Sequence, residues 1–291
     1  MEPSLHSVQV DGWSLGVSEF PARGRARGVV LAGHAMMANR RTLDRPRGQG
    51  LASTLAEAGL HVYTFDVRGH GESSPAAAAG GRWSYDDVIN GDIPAMVAWV
   101  RARHPDLRLG ILGHSLIGHG ALLWLGVTPG APVDALVLYA TNLWIRQCEP
   151  RTARWLRKRA TLALWKLLSR PLGYFPARRL RFGTDDEPIS LVRDFGRWAT
   201  TDGCKRLSDG ADYLAGRAQV KQPVLAFVGE KDVLLCVEEC SARFLAPVPD
   251  HTIRSVPGAD HMTLVTRETS RPAWEQTAAW LIEQLDRPPA A

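Results

Sequence analysis

The stretch from Gly113 to Gly120 reads G-H-S-L-I-G-H-G and contains a serine whose surroundings could turn its hydroxyl into a nucleophile. Strand-like residues 107–112 precede it and helix-like residues 121–125 follow it. A serine at a strand-to-helix turn, with a glycine two residues before it, is typical of a nucleophile elbow. The N-terminus of the helix that follows offers unpaired N–H groups to an anion. The pattern therefore predicts Ser115 as a nucleophile, and the alternative is a serine that only caps a helix.

The stretch departs from the usual G-x-S-x-G pattern at its last position. Ile117 stands where the second glycine is expected, and glycine comes one residue later, at Gly118. A β-branched side chain needs more space than glycine and is stiff at χ1. Either a neighbouring strand supplies a small residue that makes room, or the turn is more open than usual. The departure concerns the geometry of the turn and leaves the predicted nucleophile in place.

A serine hydroxyl becomes reactive only beside a base that a third group orients. Asp232 lies just past a predicted buried strand, and His261 lies just past the last predicted strand. Loops at this end of the strands form the ligand crevice of an open α/β sheet. We expect Asp232 to orient His261, which takes the proton from Ser115 and returns it to the leaving group. The plainer alternatives are a turn or cap for Asp232 and an exposed loop histidine for His261. Asp260 is poorly placed to reach the neighbouring imidazole and is interpreted as a turn former.

Two further motifs extend this pattern. Gly33-His34 follows the apolar residues 29–31, and residues 65–73 read F-D-V-R-G-H-G-E-S, in which His70 is predicted to be structural. With the elbow and the two loops, they make the chain resemble the α/β-hydrolase superfamily from about residue 28 to the C-terminus. Within it, the chain resembles the lipase, esterase and serine-aminopeptidase-like branch.

This resemblance implies a serine hydrolase that cleaves a carboxylic ester or thioester through an acyl-serine intermediate, without a metal or an organic cofactor. A peptide or amide substrate is less favoured. A carboxylate nucleophile, as in haloalkane dehalogenases and epoxide hydrolases, is excluded by the serine. The alternative from another class is a non-catalytic protein of the same fold that binds a ligand or a partner.

The resemblance also implies two backbone N–H groups that bind the oxyanion. One belongs to Leu116, the residue after the nucleophile. The other belongs to the loop after the first parallel strand, where relatives read His-Gly-x and this chain has His34, Ala35 and Met36. Met36 is the expected donor and Ala35 the alternative, although alanine has less backbone freedom than glycine. The histidines expected to contact the substrate or pack around it are His34, His114 and His119.

The composition is typical of a soluble globular protein. The 291 residues are 45% hydrophobic and 22% charged, and alternating strand-like and helix-like segments predict a mostly parallel sheet with helices on both faces. Residues 1–140 and 210–291 are predicted to form the α/β-hydrolase core, with 141–209 as a helical cap. The start lacks a signal-peptide pattern, and no apolar stretch reaches membrane length. Four cysteines without metal-ligand spacing favour a cytoplasmic protein. The expected partner is a small acyl substrate, and no nucleic-acid-binding motif is present in the sequence.

The order of the predicted elements follows from the same patterns. An edge hairpin is expected at 8–10 and 15–20, and a closing helix at 273–285 is followed by a frayed tail at 288–291. A long helix at 85–103 contains Pro94, which is expected to bend it. The other predicted strands are 28–31, 61–67, 134–140, 223–228 and 252–256, and the other predicted helices are 50–58 and 210–217.

The cap holds the positive charge of the chain. Residues 146–181 contain eleven Arg or Lys and one acid, Glu149, whereas the rest has 24 basic and 29 acidic residues. One predicted helix there has an apolar face of Leu156, Ala160, Ala163, Leu164, Leu167 and Leu168, and a polar face of Arg154, Arg157, Lys158 and Thr161. Two interpretations are open. Either the apolar face covers the pocket and the arginines are solvated, or the helix contacts anionic lipid. The charge also fits thioesters whose carrier bears phosphates.

Overall fold

The computed structural model describes residues 2–286 and builds them around an eight-stranded, mostly parallel sheet. Its strands are β1 (Ser4–Val10), β2 (Trp13–Phe20), β3 (Val29–Gly33), β4 (His61–Phe65), β5 (Leu109–His114), β6 (Ala135–Tyr139), β9 (Val224–Gly229) and β10 (His251–Val256), while β7 (Tyr174–Phe175) and β8 (Glu187–Pro188) pair separately. The order is β1-β2-β4-β3-β5-β6-β9-β10, and only the pairs β1–β2 and β2–β4 of this sheet are antiparallel. The predicted fold class is confirmed, and the predicted tail at 288–291 lies outside the described residues.

Helices cover both faces of this sheet. They are α1 (Leu51–Glu57), α2 (Tyr85–Asp87), α3 (Ile93–Arg103), α4 (Leu116–Val127), α5 (Thr152–Ser169), α6 (Ala177–Leu180), α7 (Ile189–Thr201), α8 (Tyr213–Gly216), α9 (Glu238–Leu245), α10 (Thr263–Thr266) and α11 (Arg271–Leu285). Successive side chains of a strand point to opposite faces. Accordingly, Val29 and Leu31 of β3 join an apolar cluster with α3 and α4, whereas Val30 and Ala32 join another with α1 and α11. The sheet is therefore buried on both sides, as a parallel sheet must be.

Two local features follow from residues with special backbone requirements. The predicted edge hairpin turns at Asp11 and Gly12, which both have positive φ (48° and 80°), as a two-residue hairpin turn requires. The helix predicted at 85–103 is divided into α2, a π-helical stretch Val88–Asp92, and α3. Pro94 lies in the first turn of α3, where its missing N–H is tolerated, so the irregularity precedes the proline.

The segment predicted as the cap contains α5, α6, α7 and the β7–β8 pair, and α5 packs against α7. Three of its buried residues, Phe175, Ala177 and Val192, form an apolar cluster with Met37 from the loop after β3. The segment is thus joined by its apolar side chains to a loop at the edge of the sheet. None of the described helices combines the length and apolar composition needed to cross a bilayer.

Candidate active site

Ser115 lies between β5 and α4 in a backbone conformation that residues with side chains rarely adopt. Its φ and ψ are 50° and −100°, and its N–H donates to the carbonyl of Tyr139 in β6 at 2.8 Å. Strained conformations of this kind persist only where the surroundings hold them, and they are common at active sites. The strand–turn–helix around Ser115 is the geometry that a nucleophile elbow requires.

Ile117 fits into the elbow because β3 ends in a glycine. Its side chain is fully buried, and a Cβ added at Gly33 would lie 2.4 Å from its Cγ2 atom. Gly118 packs against the side chain of Thr141, whose Oγ1 would lie 2.1 Å from an added Cβ. The neighbouring strand β3 therefore supplies the small residue, which was one of the two possibilities left by the sequence. The glycine of the elbow that packs closely against a neighbour is Gly118, one position later than in the usual pattern.

Asp232 and His261 meet at the carboxyl edge of the sheet, after β9 and β10. The Nδ1–H of His261 donates to Oδ2 of Asp232 at 2.6 Å, and the backbone N–H of Leu235 donates to Oδ1 at 2.9 Å. Burial alone would raise the pKa of Asp232, but the bonds from His261 and from backbone N–H groups hold it below its ordinary value. The carboxylate is therefore charged at neutral pH, and Nε2 is the ring nitrogen of His261 that this bond does not use.

Two neighbours shape the loop that carries His261. Asp260 accepts from the N–H groups of Met262 and Thr263 through Oδ1, at 3.0 and 2.8 Å, as expected of a turn former. The buried ring of His114 donates from Nε2 to the carbonyl of His261 at 2.9 Å. Burial, together with the nearby His261, lowers the pKa of His114 to about 3, so the ring is neutral. His114 therefore holds the backbone of the loop at His261. It is not among the residues that line the cavity.

His34 is also buried, and backbone groups engage both of its ring nitrogens. Nδ1 donates to the carbonyl of Ala35 at 2.8 Å, and Nε2 accepts from the N–H of Val67 at 3.1 Å. Burial and the neighbouring His70 lower its pKa to about 3. To contact a substrate, His34 would have to give up one of these bonds, so its observed contacts are those of a residue that joins two loops.

The predicted oxyanion donors belong to the elbow and to the loop after β3. Leu116 is the first residue of α4, where the helix provides no acceptor for its N–H. Ala35 and Met36 line the same cavity as Ser115. The next N–H along the loop, that of Met37, donates to Oε1 of the buried Glu187 at 2.6 Å. It is therefore engaged, and Glu187 belongs to no sequence motif that would have identified it.

A cavity of about 450 Å³ connects these groups. Ser115 and His261 lie in its wall, and residues 141–209 contribute four aromatic side chains and two polar ones to the lining. The lining is Ala35, Met36, Met37, Ser115, His119, Ala140, Asn142, Trp144, Thr161, Trp165, Phe182, Phe195, Leu234, Leu235, His261 and Met262. None of these lining residues carries a carboxylate, an ammonium or a guanidinium group, so the cavity suits an uncharged, largely apolar group.

His119 is the histidine beside Ser115 that does line this cavity. It lies one helical turn after the serine, and its Nδ1 is hydrogen-bonded to the Tyr85 hydroxyl. Burial and the nearby His261 lower its pKa to about 3, so its ring is neutral. The spacing of four residues within one helix is the sequence signal that distinguishes it from His34 and His114.

The orientation of α5 contradicts the interpretation that its apolar face covers the pocket. Leu156, Leu164 and Leu167 are 58%, 49% and 57% exposed, whereas Lys158 is fully buried. The Nζ of Lys158 lies 3.0 Å from Oε2 of Glu149, the carboxylate that also accepts from Arg154 at 2.6 Å. Because this ion cluster compensates the buried charge, α5 buries the side that carries Lys158, Trp155 and Leu162. Leu156, Leu164 and Leu167 face outward.

Comparison with known proteins agrees with this architecture. The family model for serine aminopeptidases, S33, matches residues 25–268. The chain therefore belongs to this family of the α/β-hydrolase superfamily, and its membership indicates a hydrolase.

Several solved structures share the fold over almost the whole chain. A soluble variant of monoglyceride lipase from Saccharomyces cerevisiae, in complex with a substrate analogue, has a TM-score of 0.74 and 19% identity, covering 98% of this chain and 96% of that one. DcsB with its substrate analogue gives 0.69 and 16%, covering 98% and 100%. Est1E from Butyrivibrio proteoclasticus, with bound ferulic acid, gives 0.65 and 15%, covering 96% and 98%. At these identities the similarity establishes the fold.

Proposed function

We propose that the protein is a serine hydrolase that cleaves a carboxylic ester or thioester through an acyl intermediate on Ser115. The observation that carries the proposal is the 2.6 Å bond between Asp232 and His261 at the cavity that also contains the strained Ser115. The Nε2 of His261 takes the hydroxyl proton while the serine oxygen attacks the carbonyl carbon, and the ring then protonates the leaving group. Water then attacks the carbonyl carbon of the acyl-serine while His261 takes its proton. The ring returns that proton to the serine oxygen as the carboxylic acid leaves.

The N–H groups of Leu116 and Met36 would stabilise the tetrahedral oxyanion during both steps. Donors fixed before the reaction are effective because no reorganisation is needed when the charge develops. Charged Asp232 stabilises the imidazolium form of His261 in the same steps. No step needs a metal or an organic cofactor.

The cavity favours an ester or thioester with an apolar acyl group over a peptide. An aminopeptidase binds a free α-ammonium group, which needs an anionic partner in the pocket. The lining contains no carboxylate, but it includes the aromatic side chains of Trp165, Phe182 and Phe195. Its volume of about 450 Å³ suits a small-molecule substrate of medium size.

A fluorophosphonate probe tests the proposed nucleophile directly. The probe is expected to label the native protein and not Ser115→Ala. Ser7→Ala, a matched substitution at an exposed serine, should be labelled as strongly as the native protein. A panel of p-nitrophenyl esters of increasing acyl length, with an aminoacyl p-nitroanilide as the peptidase substrate, then defines the reaction. Absence of labelling would favour the non-catalytic binding protein, and faster anilide than ester cleavage would favour the peptidase.

We also propose that the exposed face of α5, together with exposed residues between 170 and 182, contacts an anionic lipid surface. Six of the nine exposed large hydrophobic residues in the described range lie between residues 156 and 182. Exposed basic residues flank them, and Glu149, the one acid among residues 146–181, is buried. The residues that compose this surface are Leu156, Leu164, Leu167, Leu172, Leu180 and Phe182, with Arg157, Arg159, Lys166, Arg170, Arg178, Arg179 and Arg181.

Phe182 connects this surface to the cavity, because it is 60% exposed and also belongs to the lining. A bilayer in contact with the surface would therefore lie beside the opening through which an acyl chain enters. Binding should combine burial of apolar side chains with attraction to anionic headgroups.

Sedimentation with lipid vesicles tests this contact. The protein is expected to bind phosphatidylglycerol vesicles more strongly than phosphatidylcholine vesicles, and the combined variant Arg157→Glu and Arg159→Glu should lose this preference. Arg25→Glu, at an exposed position of the core, is the matched control. Equal loss in the control, or no preference in the native protein, would reject the lipid surface. In that case, a higher KM of the double variant for phosphate-bearing thioesters alone would support the thioester interpretation of the charge.

A further inference from the structure

Met37, in the loop after β3, is held by residues 174–192 of the predicted cap. Its N–H donates to Oε1 of Glu187 at 2.6 Å, and its carbonyl accepts from the N–H of Thr184 at 2.9 Å. Its side chain belongs to the cluster formed by Phe175, Ala177 and Val192. Its φ of 59° lies in the left-handed region, which a residue with a side chain keeps only when its surroundings enforce it. The contacts from this segment therefore enforce the conformation of Met37.

The carboxylate that holds Met37 is itself fixed by a second buried residue. The Nε2–H of His70 donates to the same Oε1 of Glu187 at 2.9 Å, and its Nδ1–H donates to the carbonyl of Arg68 at 3.1 Å. Because both ring nitrogens face acceptors, His70 is an imidazolium. Burial would lower its pKa, but the adjacent Glu187 carboxylate, assisted by Asp185, raises it to about 9. Glu187 is thus the anion of a fully buried ion pair.

We propose that Glu187 is a positioning residue for the oxyanion hole, through its bond to the N–H of Met37. This inference rests on the proposed function, in which the N–H of Met36 is one of the two oxyanion donors. The Met36–Met37 peptide plane is fixed at its N–H by the carboxylate. The donor of Met36 belongs to the preceding peptide plane, and only the two backbone dihedrals of Met36 separate the two planes. Holding the second plane therefore restricts the direction of the donor in the first.

The geometry also accounts for a family feature that the chain lacks. Relatives have glycine where this loop has Ala35, and glycine gives the backbone freedom to turn its N–H groups toward the substrate. Here Met37 has the left-handed conformation, and a buried carboxylate from outside the loop maintains it. A consequence is that the segment containing Glu187 and the oxyanion hole are coupled, so that movement of this segment changes the catalytic step as well as substrate binding.

Steady-state kinetics on one p-nitrophenyl ester tests the role of Glu187. Glu187→Ala is expected to lower kcat on the order of a hundredfold, the usual effect of losing one oxyanion donor, and to change KM less than about twofold. Glu187→Gln keeps an oxygen that accepts from Met37 and should recover most of the lost activity. Ser190→Ala is the matched control, because it removes a hydrogen bond from α7 to the carbonyl of Trp83, away from Met37.

Two further measurements separate positioning from a general loss of structure. A trifluoromethyl ketone of the same acyl length binds as an oxyanion adduct, so its Ki should rise in Glu187→Ala by the same factor as kcat falls. Hydrogen exchange of the Met37 amide should accelerate in Glu187→Ala and remain slow in Ser190→Ala. If Glu187→Ala does not fold, Glu187→Asp, whose shorter side chain withdraws from Met37, should show the same loss of kcat.

The inference is overturned if the kcat of the folded alanine or aspartate variant stays within about twofold of wild type, or if Ser190→Ala loses as much activity. An unchanged Ki for the ketone also overturns it. If the native protein cleaves none of the esters and resists the fluorophosphonate, the proposed function fails. The Met37 amide then still decides whether Glu187 holds the loop, since unchanged exchange in Glu187→Ala would exclude it.

Discussion

Replacing Gly33 by alanine should disrupt the elbow through a contact that the sequence pattern does not reveal. The added Cβ would lie 2.4, 2.7 and 2.8 Å from three side-chain atoms of Ile117, all closer than van der Waals contact. Overpacking of this kind costs about 1–3 kcal/mol. Because β3 leads directly into the loop with Ala35 and Met36, a shift of its end should also lower kcat. Gly196→Ala, with nothing within 4 Å of the added atom, is the matched control and should cost nothing.

A double-mutant cycle tests whether the contact with Ile117 causes the loss of stability in Gly33→Ala. Ile117→Gly alone removes a fully buried side chain and should destabilise the protein by about 3–5 kcal/mol. In that background the alanine at position 33 has space, so its own cost should fall to below about 1 kcal/mol. Urea denaturation of the four proteins gives the coupling free energy, and kcat is measured in parallel. Costs that add within about 0.5 kcal/mol would show that the two positions are independent and would refute the packing argument.

Three further predictions concern buried charges. Asp232→Asn should lower kcat roughly 10⁴-fold, because an amide stabilises the wrong tautomer of His261, and an unchanged kcat for ester hydrolysis would reassign the acid. The pKa of His70 is about 9 in the folded protein, against an ordinary value of 6.5, so the charged ring contributes up to about 3 kcal/mol to the free energy of unfolding. This contribution is complete below pH 6.5 and is lost as the pH rises through 9. The melting temperature should therefore fall over that range, and His70→Asn should remove this component of the fall. Glu149→Gln leaves the Lys158 ammonium buried without its carboxylate and should cost about 3–5 kcal/mol in urea denaturation, most of which Lys158→Met should restore.

The predictions that agree with the structure depend on local sequence patterns and on the strand order of the fold. The hairpin turn follows from Asp11 and Gly12, and the elbow follows from a strand pattern that ends at Ser115. The apposition of Asp232 and His261 follows from strand order alone, because β9 and β10 are adjacent and parallel, so that their carboxyl ends meet. These features need only local periodicity and the topology of the fold.

The features that the sequence did not predict depend on side-chain contacts that no sequence pattern marks. The apolar periodicity of α5 defines a face but not the surroundings of that face, and the orientation is decided by Glu149, which compensates Lys158 and Arg154. The pairing of His70 with Glu187 spans 117 positions of the chain and joins a residue of the 65–73 motif to one that belongs to no motif. Interactions of this kind come from three-dimensional packing, which a pattern along one segment does not encode.

The two departures from the family pattern, at Ala35 and Ile117, lie on opposite sides of the same junction. Ile117 packs against Gly33 at the end of β3, and the loop that begins there carries the expected donor Met36. The elbow therefore supports the oxyanion loop from the sheet side, while Glu187 holds it at the next residue, Met37. If both supports are needed, Ile117→Ala and Glu187→Ala should lower kcat by less in combination than the product of their separate effects, because either loss already releases the donor. Fully multiplicative losses would mean that the two contacts act on different parts of the reaction.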